Sequence, residues 1–361
     1  MSYSFFAQNI LFRIDPEQAH ELTIAALKLF PIGQMPEHDP ALHQKVWNIN
    51  FLNPIGLAAG FDKNAEIGHK MFRFGFGFVE MGTVTPRPQP GNPRPRIFRL
   101  IEDRAVINRM GFNGKGLDFF EMHLRHVHAR KPQQAVIGAN IGINKESPDP
   151  TGDIYQCLRR VYPMADYITV NISSPNTPGL RAWQEGDALV RMIDTAQQTR
   201  RDIDPAASKP ILFKLAPDLT YDQLEHIAEV AVNKKLDGII ISNTTIDRPR
   251  QLESAWHTEQ GGLSGRPLFR PSTKALRLFH RFTKGQVPLI GVGGVSNSQD
   301  AYRKIKAGAS LVQLYTGMIY SGPYVARDIN QGLAELLRAD GFTSIAQAVG
   351  VESDGKFDDN G

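Results

Sequence analysis

Cysteine is almost missing from this chain: its 361 residues contain one, Cys157. A single thiol forms no intrachain disulfide and no cysteine-rich metal centre. A reducing compartment is the default for such a chain. Long apolar runs are missing too. Nothing approaches the roughly 18–20 consecutive apolar residues that a membrane-crossing helix needs. The N-terminus lacks a basic segment followed by a clean apolar one, so it does not read as a signal peptide. Charge of one sign is scarce. Lys and Arg number 41 against 37 Asp and Glu, a net charge of +4, too mild to argue for nucleic acid as a partner. Global disorder is excluded as well, because 41% of the residues are apolar and only 22% charged.

The charge that is present is uneven. Residues 1–40 hold Arg13 and Lys28 against Asp15, Glu17, Glu21, Glu37 and Asp39, a balance of −3, which leaves +7 on the rest. Arginines cluster at Arg87, Arg94, Arg96, Arg99, Arg104 and Arg109. The plain reading of that cluster is a solvated loop. The sharper one is a surface for anions or lipid headgroups.

The first 40 residues read as two short helices. One lies near Tyr3–Phe12 and carries Phe5, Phe6, Ile10, Leu11 and Phe12. The second starts at Asp15, a good N-cap, with Pro16 at the first helical position and Gln18 completing a capping-box-like pattern. It is expected to run to about Phe30, where Pro31 and Gly33 stop it. Packing on the chain's own domain is the ordinary fate of such helices, but their apolar load also suits a membrane interface.

From residue 50 the rhythm changes. Eight apolar runs recur: Ile55–Gly60, Phe78–Val84, Ala135–Gly142, Tyr167–Ser174, Ile211–Pro217, Gly238–Thr244, Pro288–Gly294 and Leu311–Gly317. They are nearly continuous rather than alternating, as parallel strands covered on both faces should be. Helical stretches such as Tyr221–Lys234 and Gln299–Ala307 separate several of them. Eight such strands predict an α/β (β/α)8 TIM barrel with a small N-terminal helical extension; a doubly wound sheet is the alternative. The expected division is 1–40 for the extension, 41–340 for the barrel and 341–361 for a disordered polar tail. Two long connections, one rich in proline after residue 85 and one from Asp247 to Gly265, suggest lids over a site.

Polar residues gather where the apolar runs end. Asp62 and Lys63, Thr83, Asn140, Asn171, Ser173, Ser174 and Asn176, Lys214, Asn243 and Thr244, then Gly293 and Gly294 with their exposed backbone, then Tyr315 and Thr316 all stand there. Barrel enzymes build their sites on that face. Any one of these residues is adequately explained as a turn or cap, but eight strand ends in eight are not. The loops Gly291-Val292-Gly293-Gly294 and Tyr315-Thr316-Gly317 suit phosphate, which exposed backbone N–H groups bind well. The first loop lacks the last glycine of a Rossmann fingerprint. Gly350–Lys356 spells most of a P-loop, but Phe357 replaces the required Ser or Thr. His123, His126 and His128 read as a solvated helix face, with no metal site. A lysine at a barrel mouth, as Lys63 and Lys214 would be, forms a Schiff base, pairs with phosphate or steadies charge on a cofactor. With the asparagines, two lysines suit a small planar anion rich in carbonyl and N–H groups.

Six segments carry a resemblance. They are Ala58-Ala59-Gly60-Phe61-Asp62-Lys63, Gly82-Thr83-Val84-Thr85-Pro86, Asn108-Arg109-Met110-Gly111-Phe112, Asn171-Ile172-Ser173-Ser174-Pro175-Asn176, Ser242-Asn243-Thr244-Thr245 and Gly261-Gly262-Leu263-Ser264-Gly265. Together they strongly resemble the dihydroorotate dehydrogenases, over roughly residues 1–335. The resemblance implies an FMN-containing barrel that oxidises dihydroorotate to orotate in pyrimidine biosynthesis. Soluble class 1 members carry cysteine where this chain has Ser174, and Cys157 lies well before that loop. The serine and the N-terminal extension are similar to class 2, the membrane-associated, quinone-reducing form.

The resemblance also implies roles. Ser174 matches the catalytic base, helped by Thr177, and Lys214 a charge beside the flavin. Ala59, Gly60, Phe61, Asp62, Lys63, Thr83, Asn140, Asn171, Lys214, Ser242, Gly265, Gly294, Tyr315 and Thr316 match FMN-contacting positions. Lys63, Asn108, Arg109, Met110, Gly111, Phe112, Asn171, Asn176, Asn243 and Thr244 match substrate-contacting ones. Phe61 stands where leucine is common and Ser242 where threonine is. The implied partners are dihydroorotate and orotate, a membrane quinone, and a lipid bilayer surface met by the N-terminal helices. The implied location is peripheral, on the cytoplasmic side of the inner membrane. Without the resemblance, a Schiff-base lyase and a passive flavin- or phosphate-binding module stay open.

Overall fold

A computed structural model describes residues 10–29, 33–206 and 208–354. The described residues begin with one 3-10 turn, Leu11–Arg13, and the helix Pro16–Leu29. Asp15 caps that helix, its carboxylate accepting the N–H groups of Glu17 and Gln18 at 3.0 Å each. The helix expected near Tyr3–Phe12 lies mostly outside the described residues.

Thirteen strands follow: β1 Gln44–Val46, β2 Ile49–Phe51, β3 Ile55–Leu57, β4 Phe78–Val84, β5 Ile97–Leu100, β6 Ala105–Asn108, β7 Val136–Ile141, β8 Tyr167–Asn171, β9 Ile211–Leu215, β10 Gly238–Ile241, β11 Gly262–Gly265, β12 Leu289–Val292 and β13 Leu311–Leu314. Eight of them, β3, β4, β7, β8, β9, β10, β12 and β13, close into a parallel barrel in sequence order. These are the eight apolar runs of the sequence. Helices follow most of them, as right-handed parallel connections require.

The twofold repeat of a strand sorts the side chains. On β4, Phe78 and Glu80 face inward while Val79 and Met81 pack outward beneath helices; on β9, Leu212 and Lys214 face inward while Phe213 packs outward. The lowest inner layer holds the rings of Phe78 and Tyr167. Glycines make room for both: a Cβ at Gly56 would lie 2.3 Å from the Phe78 ring, and one at Gly138 2.2 Å from that of Tyr167. The β1–β2 hairpin then plugs the lower end, with Phe51 edge-on to Phe78 and Trp47 tilted against Tyr167. The interior therefore opens only at the C-terminal ends of the strands.

The two long connections do not behave as separate lids. β5 and β6 from the first and β11 from the second pair as one antiparallel three-stranded sheet beside the mouth. The N-terminal helix packs against it. Buried Glu17 takes Arg96 Nη2 at 2.7 Å, and Arg94 reaches it from outside at 3.0 Å. Desolvation alone would raise the Glu17 pKa, but Arg96 and Arg94 hold it below the usual glutamate value.

The tail corrects one expectation. Residues 341–354 are ordered on the barrel, whereas a disordered tail was expected from 341. Apolar side chains drive this: Ile345 and Ala348 of the short helix Ile345–Ala348 are buried, and Ser344 with Gln347 caps it. Two ladder-like bonds follow, Gly350 N–H to Ile305 O and Glu352 N–H to Lys306 O. Residues 355–361 lie outside the described residues. Among the described residues no helix is long and apolar enough to cross a membrane.

The Glu17 pair generates a prediction. Glu17→Gln leaves Arg96 buried without a counter-charge, and should loosen the N-terminal helix by roughly 3 kcal/mol. Amide hydrogen exchange over residues 16–29 would rise while the barrel stays protected; unchanged exchange refutes it. Because the folded pKa is lowered, this docking is complete above the unfolded value of 4.5 and is lost as pH falls through the folded one.

Candidate active site at the barrel mouth

A cavity of about 670 Å³ occupies the open end of the barrel. Strand ends form its floor and walls. The mouth sheet contributes Ile97, Val106, Asn108 and Ser264, and the N-terminal segment closes the outer side with Leu11, Phe12, Ala19, His20, Leu22 and Leu27. The inner half is polar and the outer half apolar.

Most of the residues expected from sequence meet here. Ala59, Gly60, Phe61, Lys63, Thr83, Asn171, Lys214, Ser242, Gly265, Gly294, Tyr315 and Thr316 line the cavity. So do Asn108, Met110, Gly111, Phe112, Ser174, Asn176, Asn243 and Thr244. Four expected residues are not in its lining. Asp62 is a structural cap, its carboxylate accepting the N–H groups of Glu66 and Ile67, and burial pushes its pKa up to about 6. Asn140 is fully buried one layer back, behind Thr83. Arg109 turns outward to Glu259 at 2.6 Å. Thr177 is buried, and its hydroxyl has no hydrogen-bond partner.

The asparagines are locked by one another. Asn171 donates to Thr83 Oγ1 at 3.0 Å, while its carbonyl accepts from Ser173 Oγ at 3.0 Å and Asn243 Nδ2 at 3.3 Å. Asn176 reaches across to Asn108 at 3.3 Å. Ser174 Oγ accepts the N–H of Asn176 at 3.3 Å, which leaves the serine proton free to donate elsewhere.

The two lysines differ. Lys63 donates to Asn113 Oδ1 at 2.8 Å, and desolvation lowers its pKa to about 7. Lys214 is buried and lines the cavity, and its ammonium has no hydrogen-bond partner among the described residues. Burial lowers its pKa, and the Glu80 carboxylate opposes that shift. An unpaired buried cation facing a cavity calls for an anionic or electron-rich ligand.

The glycines on the far side form a cradle. At Gly294, φ is +77° and a Cβ would lie 2.5 Å from the Phe269 backbone; a Cβ at Gly317 would lie 2.4 Å from Val295 O. Only glycine lets these backbones approach so closely, as phosphate-binding turns require.

Sequence reasoning missed Asn113, one residue past a segment it singled out, and His20, which lines the outer half. Desolvation holds the His20 pKa down to about 4, so its ring is neutral. It missed Glu80, which lay inside an apolar run. Neither reading of the arginine cluster survives whole. Arg96 and Arg94 bind Glu17, Arg99 donates to Ile14 O, Arg109 binds Glu259 and Arg104 donates to Ser321. The arginines tie the N-terminal segment and the loops to the mouth. The histidine helix face is solvated, as its sequence suggests: His126 and His128 are exposed, half-buried His123 stacks on Phe119, and His128 bonds Met164 O.

Comparison with known proteins agrees with this site. The family model described as dihydroorotate dehydrogenase matches residues 41–337. The dihydroorotate dehydrogenase (quinone) of Rhodospirillum rubrum is 49% identical over 340 residues, covering 94% of this chain and 92% of that one. That of Azorhizobium caulinodans is 51% identical over 342 residues, covering 93% and 95%. Among solved structures, the ligand-free Eimeria tenella enzyme superposes with a TM-score of 0.89 at 43% identity, covering 94% of this chain and 99% of that one. The lyase and the passive module fall away, and the chain belongs to the dihydroorotate dehydrogenase family.

Proposed function

We propose that this enzyme oxidises (S)-dihydroorotate to orotate in pyrimidine biosynthesis, with FMN as the hydride acceptor and a membrane quinone as the final electron acceptor. The observation that carries this reading is the unpaired Lys214 ammonium on the same cavity as the Ser174 loop and the glycine cradle. The residues fit FMN: Gly294 and its neighbours would hold the phosphate, and Lys214, Thr83 and Ser242 the ring system. FMN, when bound, supplies a two-electron acceptor for the hydride leaving C6 of dihydroorotate.

The chain's own residues do the rest. Ser174 takes the proton from C5. A serine hydroxyl is a poor base in water and needs a dry site with an exit for the proton. Thr177, buried with an unpartnered hydroxyl three residues on, offers a place for a relaying water. Lys214 stabilises the negative charge that accompanies hydride transfer. Asn108, Asn171, Asn176 and Asn243 hold the ring, and Lys63 faces its carboxylate. The quinone enters through the apolar outer half. The helix Pro16–Leu29 leaves Leu22 59% and Leu29 79% exposed, which suits it to lie on a bilayer at the cytoplasmic side of the inner membrane.

Anaerobic bleaching of the flavin spectrum by dihydroorotate tests the reading directly; a colourless protein, or a flavin that dihydroorotate does not bleach, refutes it. Ser174→Ala should keep its flavin and bleach about 10²–10⁴-fold more slowly. Bleaching at the normal rate would reduce Ser174 to a turn residue.

A pH dependence follows from Lys63. With its pKa near 7, the free side chain loses its proton as pH rises through neutrality. An anionic carboxylate beside it favours the ammonium, so binding takes up a proton there. Orotate affinity should fall above pH 7 by up to about ten-fold per unit, until pH reaches the bound-state value. Titrating orotate against flavin absorbance from about pH 6 to about pH 9 checks this. A flat profile removes Lys63 from anion binding.

Deleting residues 1–40 separates the two half-reactions. The truncated protein should retain flavin and still be bleached by dihydroorotate, but fail to reduce a long-chain quinone or sediment with vesicles. Normal quinone reduction by it would place the quinone elsewhere.

A further inference from the structure

The barrel interior holds a carboxylate that the proposed chemistry does not use. Glu80 on β4 is fully buried below the cavity. Four donors converge on it. Asn140 Nδ2 meets Oε1 at 2.7 Å, and Oε2 takes Gln313 Nε2 at 2.9 Å, Tyr167 Oη at 3.0 Å and Thr169 Oγ1 at 3.1 Å. A carboxylate accepts and never donates, so it matches all four.

A chain of bonds climbs from Glu80 to the cavity wall. Asn140 donates to Glu80, Thr83 Oγ1 donates to Asn140 Oδ1 at 2.6 Å, and Asn171 Nδ2 donates to Thr83 Oγ1 at 3.0 Å. At the upper end, Asn171 Oδ1 accepts the backbone N–H of Ser173 at 3.2 Å. Every donor points down towards Glu80. A backbone N–H can only donate, so the chain runs between a pure donor and a pure acceptor. Its middle members, two amides and a hydroxyl, each work in either sense.

We propose that Glu80 is a positioning residue, the fixed acceptor that, with the Ser173 N–H at the upper end, holds this chain in one direction and so keeps the hydrogen-bonding edges that Thr83 and Asn171 turn to the cavity. The proton of Thr83 is consumed by Asn140, so Thr83 offers a ligand only a lone pair. The amide of Asn171 spends one N–H on Thr83 and keeps the other to give. Reversing the chain would exchange donor and acceptor at that wall, and a ring whose edge matched one sense would mismatch the other. This inference rests on reading the cavity as an orotate site beside the flavin, with Asn171 facing the orotate ring and Thr83 the flavin.

The test uses the purified holoenzyme and orotate, followed by flavin absorbance, with melting temperature read in parallel. Glu80→Gln keeps the shape; its amide oxygen takes the side of the three donors on Oε2, which turns its N–H₂ group against Asn140. Orotate should bind about ten-fold more weakly or worse, and the melting temperature should fall. Glu80→Gln/Asn140→Asp restores the sense: the new amide donates to the new carboxylate, which still accepts from Thr83. That double variant should recover orotate affinity to within about three-fold of wild type, and most of the melting temperature. A merely structural role predicts a fall and recovery of melting temperature with no matching loss and rescue of orotate affinity. Orotate affinity in Glu80→Gln within about two-fold of wild type, or no recovery in the double variant, overturns the proposal. If Glu80→Gln does not fold, the double variant decides alone: folded with near-normal affinity supports the proposal, and anything else overturns it. If orotate leaves the wild-type spectrum unchanged, the functional reading fails, and recovery of melting temperature in the double variant then supports or overturns the chain by itself.

Discussion

A carboxylate and an ammonium share the interior of the barrel, and neither belongs there by default. Burying a charge costs several kcal/mol unless polar groups replace the lost water. Glu80 meets that cost with four donors. Lys214 does not, because among the described residues its ammonium has no hydrogen-bond partner, and the field of Glu80 steadies it. The shortfall is directional. It can be made up only from the cavity side, by a ligand. Glu80 and Lys214 stand on the same face of the barrel wall as Phe78 and Leu212 because strand side chains alternate. The apolar layer beneath them and the hairpin plug keep water out from below. The polar layer is thus held between a sealed floor and a cavity.

The roof follows from a different constraint. A barrel mouth is open, and the proton abstraction proposed for Ser174 needs a dry site. Two insertions from distant parts of the chain meet as one small sheet, and the N-terminal helix leans on it through Glu17 and Arg96. Arg96 also donates to the carbonyls of Pro90 and Asn92, at 2.6 Å and 2.8 Å. One guanidinium therefore fixes the helix and the loop beneath it together. Its planar fork suits such a junction, where a point-charge lysine would not.

Sequence made the barrel legible because its signal is local. Eight apolar runs with polar ends read directly as buried parallel strands, and each proved to be one. The mouth sheet was not read, although Ile97–Leu100 and Ala105–Asn108 are mostly apolar segments around a tight turn. Its third strand, Gly262–Gly265, lies more than 150 residues away and carries two glycines, so its pairing is a tertiary fact. The tail misled because composition was weighed over pattern: acidic residues after 351 outvoted Ile345 and Ala348. Asp62 and Asn140 were read as site residues from their place at strand ends. Neither lines the cavity: backbone geometry makes one a cap and sets the other behind Thr83. Glu80 was invisible for the opposite reason, since a lone acid within an apolar run announces neither its partners nor its face.

The cavity joins two solvents. Its inner half is lined by amides, hydroxyls and two lysines, which suit an anionic, water-soluble ring. Its outer half is lined by Leu11, Phe12, Ala19, Leu22 and Leu27, which suit an apolar molecule. His20 stands in that outer half as a neutral ring against Phe61 and adds no charge to it. Apolar burial favours an apolar ligand by about 25 cal/mol per Å². The same lining rejects the anion, whose charge would lose its water without gaining a partner. Two ligands of opposite character can then approach one reactive centre from opposite sides, sorted by what each would lose in the other's half. The apolar half depends on the N-terminal helix, so the ion pair at Glu17 that docks it also shapes that half of the cavity.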